Sequence, residues 1–570
     1  MVMSTGIHNH QTGSGPQNNY NAVGTQNINT FNTASQPLKT LSDAVAGVGA
    51  SHNAEQQYSR GECLPGTREK VIGSILEWIL AKELPICWLS GTAGVGKTAI
   101  AMTVAKAVKE EGRLVCSFFF FRSDPRRNNP SALVLSIAHG LGVTNPSYRI
   151  LIDRRILDDP KILEARMEEQ FRELVVKPHG RQTPAPLPQK SQKPSFCQKW
   201  SGRIQKALGK CPLMAKDLDR QGSADDREVP DLVIIDGLDE CGDERTQKRI
   251  LSMIQSTFLT SPDFPLRFLI CSRPEAWLQE AFTANSLSRL SKSILLNEEF
   301  RPAEDIVKFY RHQFQEIVSD PKYRQIRFPH PWPTEEDLET LVEKSCSQFV
   351  YAATVSRFIA DTDDHPVDQL RLILESNPNS QPGASPYKAL DTLYNIILTA
   401  NRNPDKVCPI LAAIVILSEF MSPTPASIEL ILGLPEGQVA VRLWGMHSVL
   451  YIGGWDDWIA VHHTSFREYL VDPNRSRNFH IDVDTQKYAI ARQWLLNLTT
   501  SKVLTYSPSQ LYSKGTKAFF YQWFQLCTSI PKPSRDLLDD LWNVDIAPAC
   551  LWSLNWGKTF EKLVQWVREY

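Results

Sequence analysis

The chain reads as an α/β domain built on a mostly parallel sheet, followed by helical and winged-helix-like segments and preceded by a polar tail. Three observations predict this. Between Arg60 and Leu296 short apolar runs alternate with helical patterns, the order of strands joined by covering helices. The octet Gly91-Thr92-Ala93-Gly94-Val95-Gly96-Lys97-Thr98 fits G-x-x-x-x-G-K-[ST] at every fixed position, the P-loop of nucleoside-triphosphate-binding domains. After Asn297 the alternation stops and helical patterns take over.

The first 38 residues contain no Asp, Glu, Lys or Arg and are rich in Asn, Gln, Gly, Ser and Thr. On composition they form a disordered tail, set here at residues 1–58. Within it Gly15-Pro16-Gln17-Asn18 recurs as Gly24-Thr25-Gln26-Asn27. Asn and Gln ladders with low charge favour cross-β stacking, so the near-repeat is a candidate for two rungs of one assembly.

Five apolar runs are the strand candidates: Ile86–Ser90, Val115–Phe121, Leu232–Asp236, Phe268–Ser272 and Ile294–Leu296. Runs such as Ser117-Phe118-Phe119-Phe120-Phe121 lack polar alternation, as strands buried on both faces do. Between them lie helical patterns, among them the one opening at Ala99 and Arg245–Phe258. The stretch 178–230 is rich in Pro, Gln and Lys and then acidic, which reads as a surface insertion without a fixed fold. Trp200–Leu208 could close one short basic helix there, though a solvated loop is the simpler reading.

Beyond Asn297, helical patterns cover Ala303–Ile317, Glu335–Ala360, Pro366–Leu374 and Tyr387–Ala400. From Val407 to about Asp482 the pattern is helix, turn, helix and a turn at Gly453-Gly454-Trp455, which suits a small winged-helix-like unit. The domain expectation is therefore 59–300 for the nucleotide-binding domain, 301–402 helical, 403–482 winged-helix-like and 483–570 a helical end.

Lys+Arg number 62 and Asp+Glu 63, a balance that argues against a protein coating nucleic acid. The longest apolar run, Val407–Leu417, is too short to cross a bilayer and reads as a buried helix. No basic-then-apolar leader is visible, and the 11 cysteines never form C-x-x-C, so zinc and a disulfide framework are not indicated and a cytoplasmic setting is expected.

A P-loop works through its backbone. Its glycines let N–H groups turn inward around phosphates, Lys97 reaches the β- and γ-phosphates, and the Thr98 hydroxyl can hold Mg²⁺. Turnover also needs an acid at the end of a neighbouring apolar strand. Asp236 ends Leu232–Asp236 and is the metal candidate. Asp239 and Glu240 lie just beyond, where an attacking water would be oriented, with their division of labour open. Arg273 follows a further apolar strand, where an arginine can read a γ-phosphate. Asp239-Glu240-Cys241-Gly242 formally matches a D-x-x-G motif, but the chain has no N-K-x-D for guanine, so adenine is the better match. The cofactors expected are ATP or ADP with Mg²⁺.

Taken together, G-T-A-G-V-G-K-T, I-I-D-G-L-D-E-C and F-L-I-C-S-R-P-E resemble fungal NACHT proteins, NOD-like-receptor-type members of the STAND class of P-loop ATPases with nephrocystin-3-like N-terminal domains. The resemblance includes Cys63-Leu64-Pro65-Gly66-Thr67-Arg68, Gln348-Phe349-Val350-Tyr351-Ala352-Ala353-Thr354 and His463-Thr464-Ser465-Phe466-Arg467-Glu468-Tyr469-Leu470. It implies an ATP/ADP-gated switch with slow hydrolysis, opening and homo-oligomerisation, in fungal innate immunity or heterokaryon incompatibility. By the same resemblance Thr67 and Arg68 lie near the base or ribose, Arg273 is a sensor arginine, and His463 reaches the β-phosphate. On residues alone His463 reads as a satisfied histidine, and His462 leaves the assignment open by one position. The tail resembles short amyloid signalling motifs that pass a signal to a separate effector. The long 178–230 insertion and the absence of an evident repeat array before Tyr570 depart from the family pattern. The alternatives are an ATP-binding scaffold without turnover, which would signal normally after loss of Lys97, and a P-loop kinase, which would need an acceptor pocket.

Overall fold

A computed structural model of the chain describes residues 37–54, 61–122, 124, 126–180, 230–283, 287–361, 364–376, 387–401, 403–500, 522–531, 533, 535–542, 561, 565, 566 and 568. The chain divides into two units, residues 1–36 and 37–570, and all the described residues belong to the second. The expected tail repeat and the expected basic helix at Trp200–Leu208 lie outside the described residues. Of the 178–230 stretch, the first residues close a helical turn, Lys177–Gly180, and 181–229 lie outside as well.

Five parallel strands make the central sheet: β1 (Ile86–Ser90), β2 (Leu114–Phe119), β3 (Leu232–Asp236), β4 (Arg267–Ser272) and β5 (Ser291–Leu295), in the order β2-β3-β4-β1-β5. Every residue of β1, β3 and β4 is buried. Ile86, Trp88, Val233, Ile235, Phe268 and Ile270 pack into a core on one face, and Cys87, Leu89, Ile234, Leu269 and Cys271 into a core on the other. That is why these runs carry no polar alternation. The last strand begins three residues before the apolar run that announced it. β5 is an edge strand, and its Ser291, Lys292 and Ser293 break the apolar pattern, with Lys292 Nζ donating to Ser74 O at 3.2 Å.

The longer helices among the described residues of this part are α1 (Pro37–Val45), α2 (Glu69–Ala81), α3 (Lys97–Glu110), α4 (Ser131–Thr144), α5 (Pro146–Asp158), α6 (Glu244–Thr260) and α7 (Ala276–Thr283). α6 shows the local logic. Asp243 caps it by accepting from Thr246 N, and Ile250, Ile254 and Phe258, spaced by four, form its buried stripe. α1 packs on α4 and α5. The segment after it lies on the open edge of β2, where Phe119 N donates to Ala50 O at 2.8 Å and His52 N to Ser117 Oγ at 3.0 Å.

A third core joins the next set of helices: α8 (Pro302–Ser319), α9 (Glu335–Ser345), α10 (Phe349–Asp361), α11 (Pro366–Glu375), α12 (Lys388–Ala400), α13 (Pro404–Leu417), α14 (Pro425–Leu432) and α15 (Gln438–Arg442). The helical pattern over 335–360 is two helices. Cys346 and Ser347 both take left-handed conformations, φ 44° and 64°, and the chain turns there. After α15 a two-stranded antiparallel hairpin forms, β6 (Leu450–Ile452) and β7 (Ile459–Val461), with Gly453-Gly454-Trp455 at its turn, followed by α16 (Thr464–Val471) and α17 (Val483–Thr500). Helices with a small hairpin give this part its winged-helix-like order. No helix among the described residues is long and apolar enough to cross a membrane. The eight described cysteines are free thiols.

Candidate functional site

The octet consists of the loop between β1 and α3, Gly91–Gly96, and the first two residues of α3, Lys97 and Thr98. Gly94 and Gly96 have φ of +79° and +94°, a region L-residues rarely enter. Gly96 is the N-cap of α3 and no side chain caps that helix. The first N–H groups of a 14-residue helix therefore point, with its positive end, into the loop. Lys97 folds back over the same loop, its Nζ donating to Gly91 O at 2.7 Å and Thr92 O at 2.9 Å. Burial lowers the Lys97 pKa, while Asp239 and Asp236 oppose that shift. Ala93 and Val95 are buried and pin the loop to the domain.

Asp236 ends β3 and is 2% exposed. Its Oδ2 accepts from Thr98 Oγ1 at 2.8 Å, which brings the hydroxyl and the carboxylate to one point. This donor set fits a polyphosphate with a divalent cation: inward backbone N–H groups, one ammonium, and a paired hydroxyl and carboxylate of the kind Mg²⁺ takes. The strand order sets the spacing, because β4 lies between β1 and β3.

β4 delivers Arg273. Its backbone N donates to Asp239 Oδ1 at 3.0 Å, and its Nε lies 3.3 Å from Asp239 Oδ2. Asp239, 4% exposed, is thus committed to orienting Arg273. Glu240 takes a different position, its Oε2 accepting from Arg122 N at 3.1 Å, while Arg122 Nη2 donates to Asp239 O at 2.7 Å. The two acids are distinguished by these partners. Arg273 also reaches across to α16. Its Nη2 lies 2.7 Å from Glu468 Oε1 and 3.1 Å from Thr464 Oγ1. Burial opposes the Arg273 charge, but Glu468, Asp239 and Glu240 outweigh it and raise its pKa.

His463 stands next to this contact as the N-cap of α16, its Nδ1 accepting from Ser465 N at 3.1 Å. Its neighbour His462 turns to His447 O at 2.9 Å. Thr67 Oγ1 donates to Leu64 O at 2.7 Å. Arg68 is 4% exposed and left-handed, φ 58°. Its Nη2 donates to Val95 O of the loop at 2.6 Å, its guanidinium lies over the Phe349 ring at 4.6 Å, and its backbone N donates to Asp305 Oδ2 at 3.0 Å. Arg68 therefore braces the loop from behind. Val350 N donates to Gly94 O at 3.0 Å, so the start of α10 touches the loop tip. Sequence reasoning did not single out Glu468, Thr464, Phe349 or Val350. All four sit inside motifs it had noted, but nothing local says which member of a motif reaches a distant part of the chain.

Residues 66–187 match the family model described as "Nephrocystin 3, N-terminal". No curated protein sequence matches the chain. Among solved structures, a Signal Transduction ATPase with Numerous Domains (STAND) protein with a tetratricopeptide repeat sensor from Pyrococcus horikoshii is 11% identical, TM-score 0.40. The likeness covers 90% of this chain and 56% of that one, so this chain spans little more than half the length of the archaeal protein. A chain from the structure of Drosophila ORC bound to poly(dA/dT) DNA and Cdc6 is 10% identical over 92% of this chain and 76% of that one, TM-score 0.20.

Proposed function

We propose that the chain is an ATP/ADP-gated signalling switch of the NOD-like-receptor type, with slow hydrolysis coupled to opening and homo-oligomerisation. The observation that carries the proposal is Arg273. It leaves the carboxyl end of the strand between the P-loop strand and the Asp236 strand, and it ends on Glu468 and Thr464 of α16. One side chain thus ties the nucleotide site to the winged-helix-like part.

Bound Mg²⁺–ATP supplies a reactive γ-phosphorus and a concentrated negative charge. Around it Lys97 and the backbone of Gly91, Thr92, Ala93, Gly94, Val95 and Gly96 would hold phosphate oxygens, and Thr98 and Asp236 would hold the cation. Glu240 orients water, and Asp239 keeps Arg273 aimed. Arg273 would exchange Glu468 for a terminal phosphate, loosening α16, whereas a diphosphate leaves the pair intact. Such unequal affinity for the two states is what a ligand needs to shift them. Thr67 and Arg68 are assigned to the base and ribose side and His463 to the β-phosphate side, on the motif resemblance. That resemblance also supports domain limits of 59–300, 301–402, 403–482 and 483–570, a cytoplasmic role in fungal immunity or heterokaryon incompatibility, and an effector reached through the tail. No specific nucleic-acid partner is proposed.

Turnover should be slow, on the order of 10⁻⁴ to 10⁻² s⁻¹. Size-exclusion chromatography of the full chain with ADP or a non-hydrolysable ATP analogue, with the bound nucleotide identified, tests the switch. ADP should give a monomer and the analogue a larger species. Lys97→Ala should lose both the bound nucleotide and the difference. Identical elution with both nucleotides, each shown to be bound, would sink the proposal.

A further inference from the structure

The hydrogen bonds around His463 have a direction. Ser465 N can only donate, and it sits 3.1 Å from His463 Nδ1, so that nitrogen carries the lone pair. Ser465 Oγ lies 2.7 Å from the same nitrogen and must give it its proton, since a protonated Nδ1 would face the Ser465 N–H head on. The serine hydrogen is then spent. Tyr394 OH, 2.8 Å from Ser465 Oγ, has to be the donor of that pair. Ser465 is fully buried and Tyr394 is 1% exposed, so neither hydroxyl can trade its partner for water without opening the core. Burial also pushes the Tyr394 phenol well above its usual range, which keeps it a hydroxyl. The tyrosine ring is fixed from α12, packing against Phe466 at 5.0 Å and Tyr469 at 5.4 Å between ring centroids.

We infer that Tyr394 and Ser465 are positioning residues that lock His463 in the tautomer bearing its proton on Nε2, presenting an N–H donor suited to a phosphate oxygen. The second half of this rests on the proposed switch. The tautomer itself does not. A neutral imidazole can offer its outer nitrogen as donor or acceptor, and only the donor suits an anion. Through α12 and by way of Ser465, 71 residues beyond Tyr394, the helical part therefore sets the polarity of a group next to the Arg273 contact.

The first measurement uses the full chain without nucleotide, labelled with ¹⁵N in the histidine rings, with the His463 signals identified by their loss in His463→Gln. Wild type should show an unprotonated Nδ1 and a protonated Nε2. Ser465→Ala should move both resonances toward averaged values, and Tyr394→Phe, which keeps the ring packing, should move them the same way by less. A protonated Nδ1 in wild type, or no movement in Ser465→Ala, overturns the lock. The second measurement is ADP affinity. Tyr394→Phe should weaken it about 3- to 10-fold, the worth of one neutral hydrogen bond, and should cause no further loss in a His463→Ala background. An equal loss in both backgrounds would make Tyr394 a packing residue and overturn its acting through His463. If wild type binds no ADP, the switch proposal fails while the ring spectra still decide the tautomer.

Discussion

Gly94 meets two demands at once. Its φ of +79° disfavours a side chain, and a Cβ placed there would lie 2.2 Å from Val350 Cγ1. Gly94→Ala should therefore destabilise the protein by about 2–4 kcal/mol, from left-handed strain and overpacking together. Val350→Ala added to it should restore part of that, about 1 kcal/mol, because Cγ1 is removed while the strain stays. Urea unfolding of the two variants decides this, and equal midpoints would show that α10 does not press on the loop. Glu468 offers a complementary change. It and Arg273 are 28% and 20% exposed as side chains, so their pair is partly screened, and Glu468→Gln should cost only about 1 kcal/mol of stability. Its larger expected effect is on the switch, with more of the high-mass species at a given concentration of ATP analogue.

Among the elements, the segment after α1 has a stability that depends on pH. Burial and then Lys109 lower the His52 pKa from 6.5 to about 4, and its Nδ1 lies 2.7 Å from Ser117 Oγ. The folded state thus binds a proton less readily than the unfolded one. The His52 contribution is complete above pH 6.5 and is lost as pH falls from there to about 4. His52→Gln should flatten the pH dependence of unfolding in that window. His179, lowered to about 4 chiefly by burial, leaves a residual slope, so wild type and variant must be compared directly.

How much of each element was legible in the sequence depends on how local its signal is. β1, β3 and β4 are buried on both faces and showed as unbroken apolar runs, and Asp236 could be paired with Thr98 because a strand-ending acid is a local feature. β6 and β7 were missed because three residues are too few to show a period of two. The break at Cys346 and Ser347 was missed because both take left-handed conformations, which Gly, Asn and Asp favour and Cys and Ser do not, so the residue types gave no warning. The Arg273–Glu468 pair spans 195 positions, and nothing local to either residue announces the other.

For the whole molecule, the expected coupling is between nucleotide state and the packing of the helical parts on the sheet. If Arg273 is the tie, Arg273→Ala should abolish the difference in elution between ADP and the analogue while the P-loop still binds nucleotide, and retention of the difference would remove Arg273 from the switch. The strand order carries a further consequence, for synthesis. β1 takes both its neighbours from late in the chain, with Ile86 beside Phe268 on one side and Ser291 on the other. At roughly 5–20 residues per second the ribosome needs on the order of 10–40 s after making β1 before β4 exists. Throughout that time the strand ahead of the P-loop has no partner on either edge, and the phosphate cradle cannot be held in shape. Nascent chains shorter than about 300 residues are therefore the form of this protein most in need of a chaperone and least able to bind nucleotide.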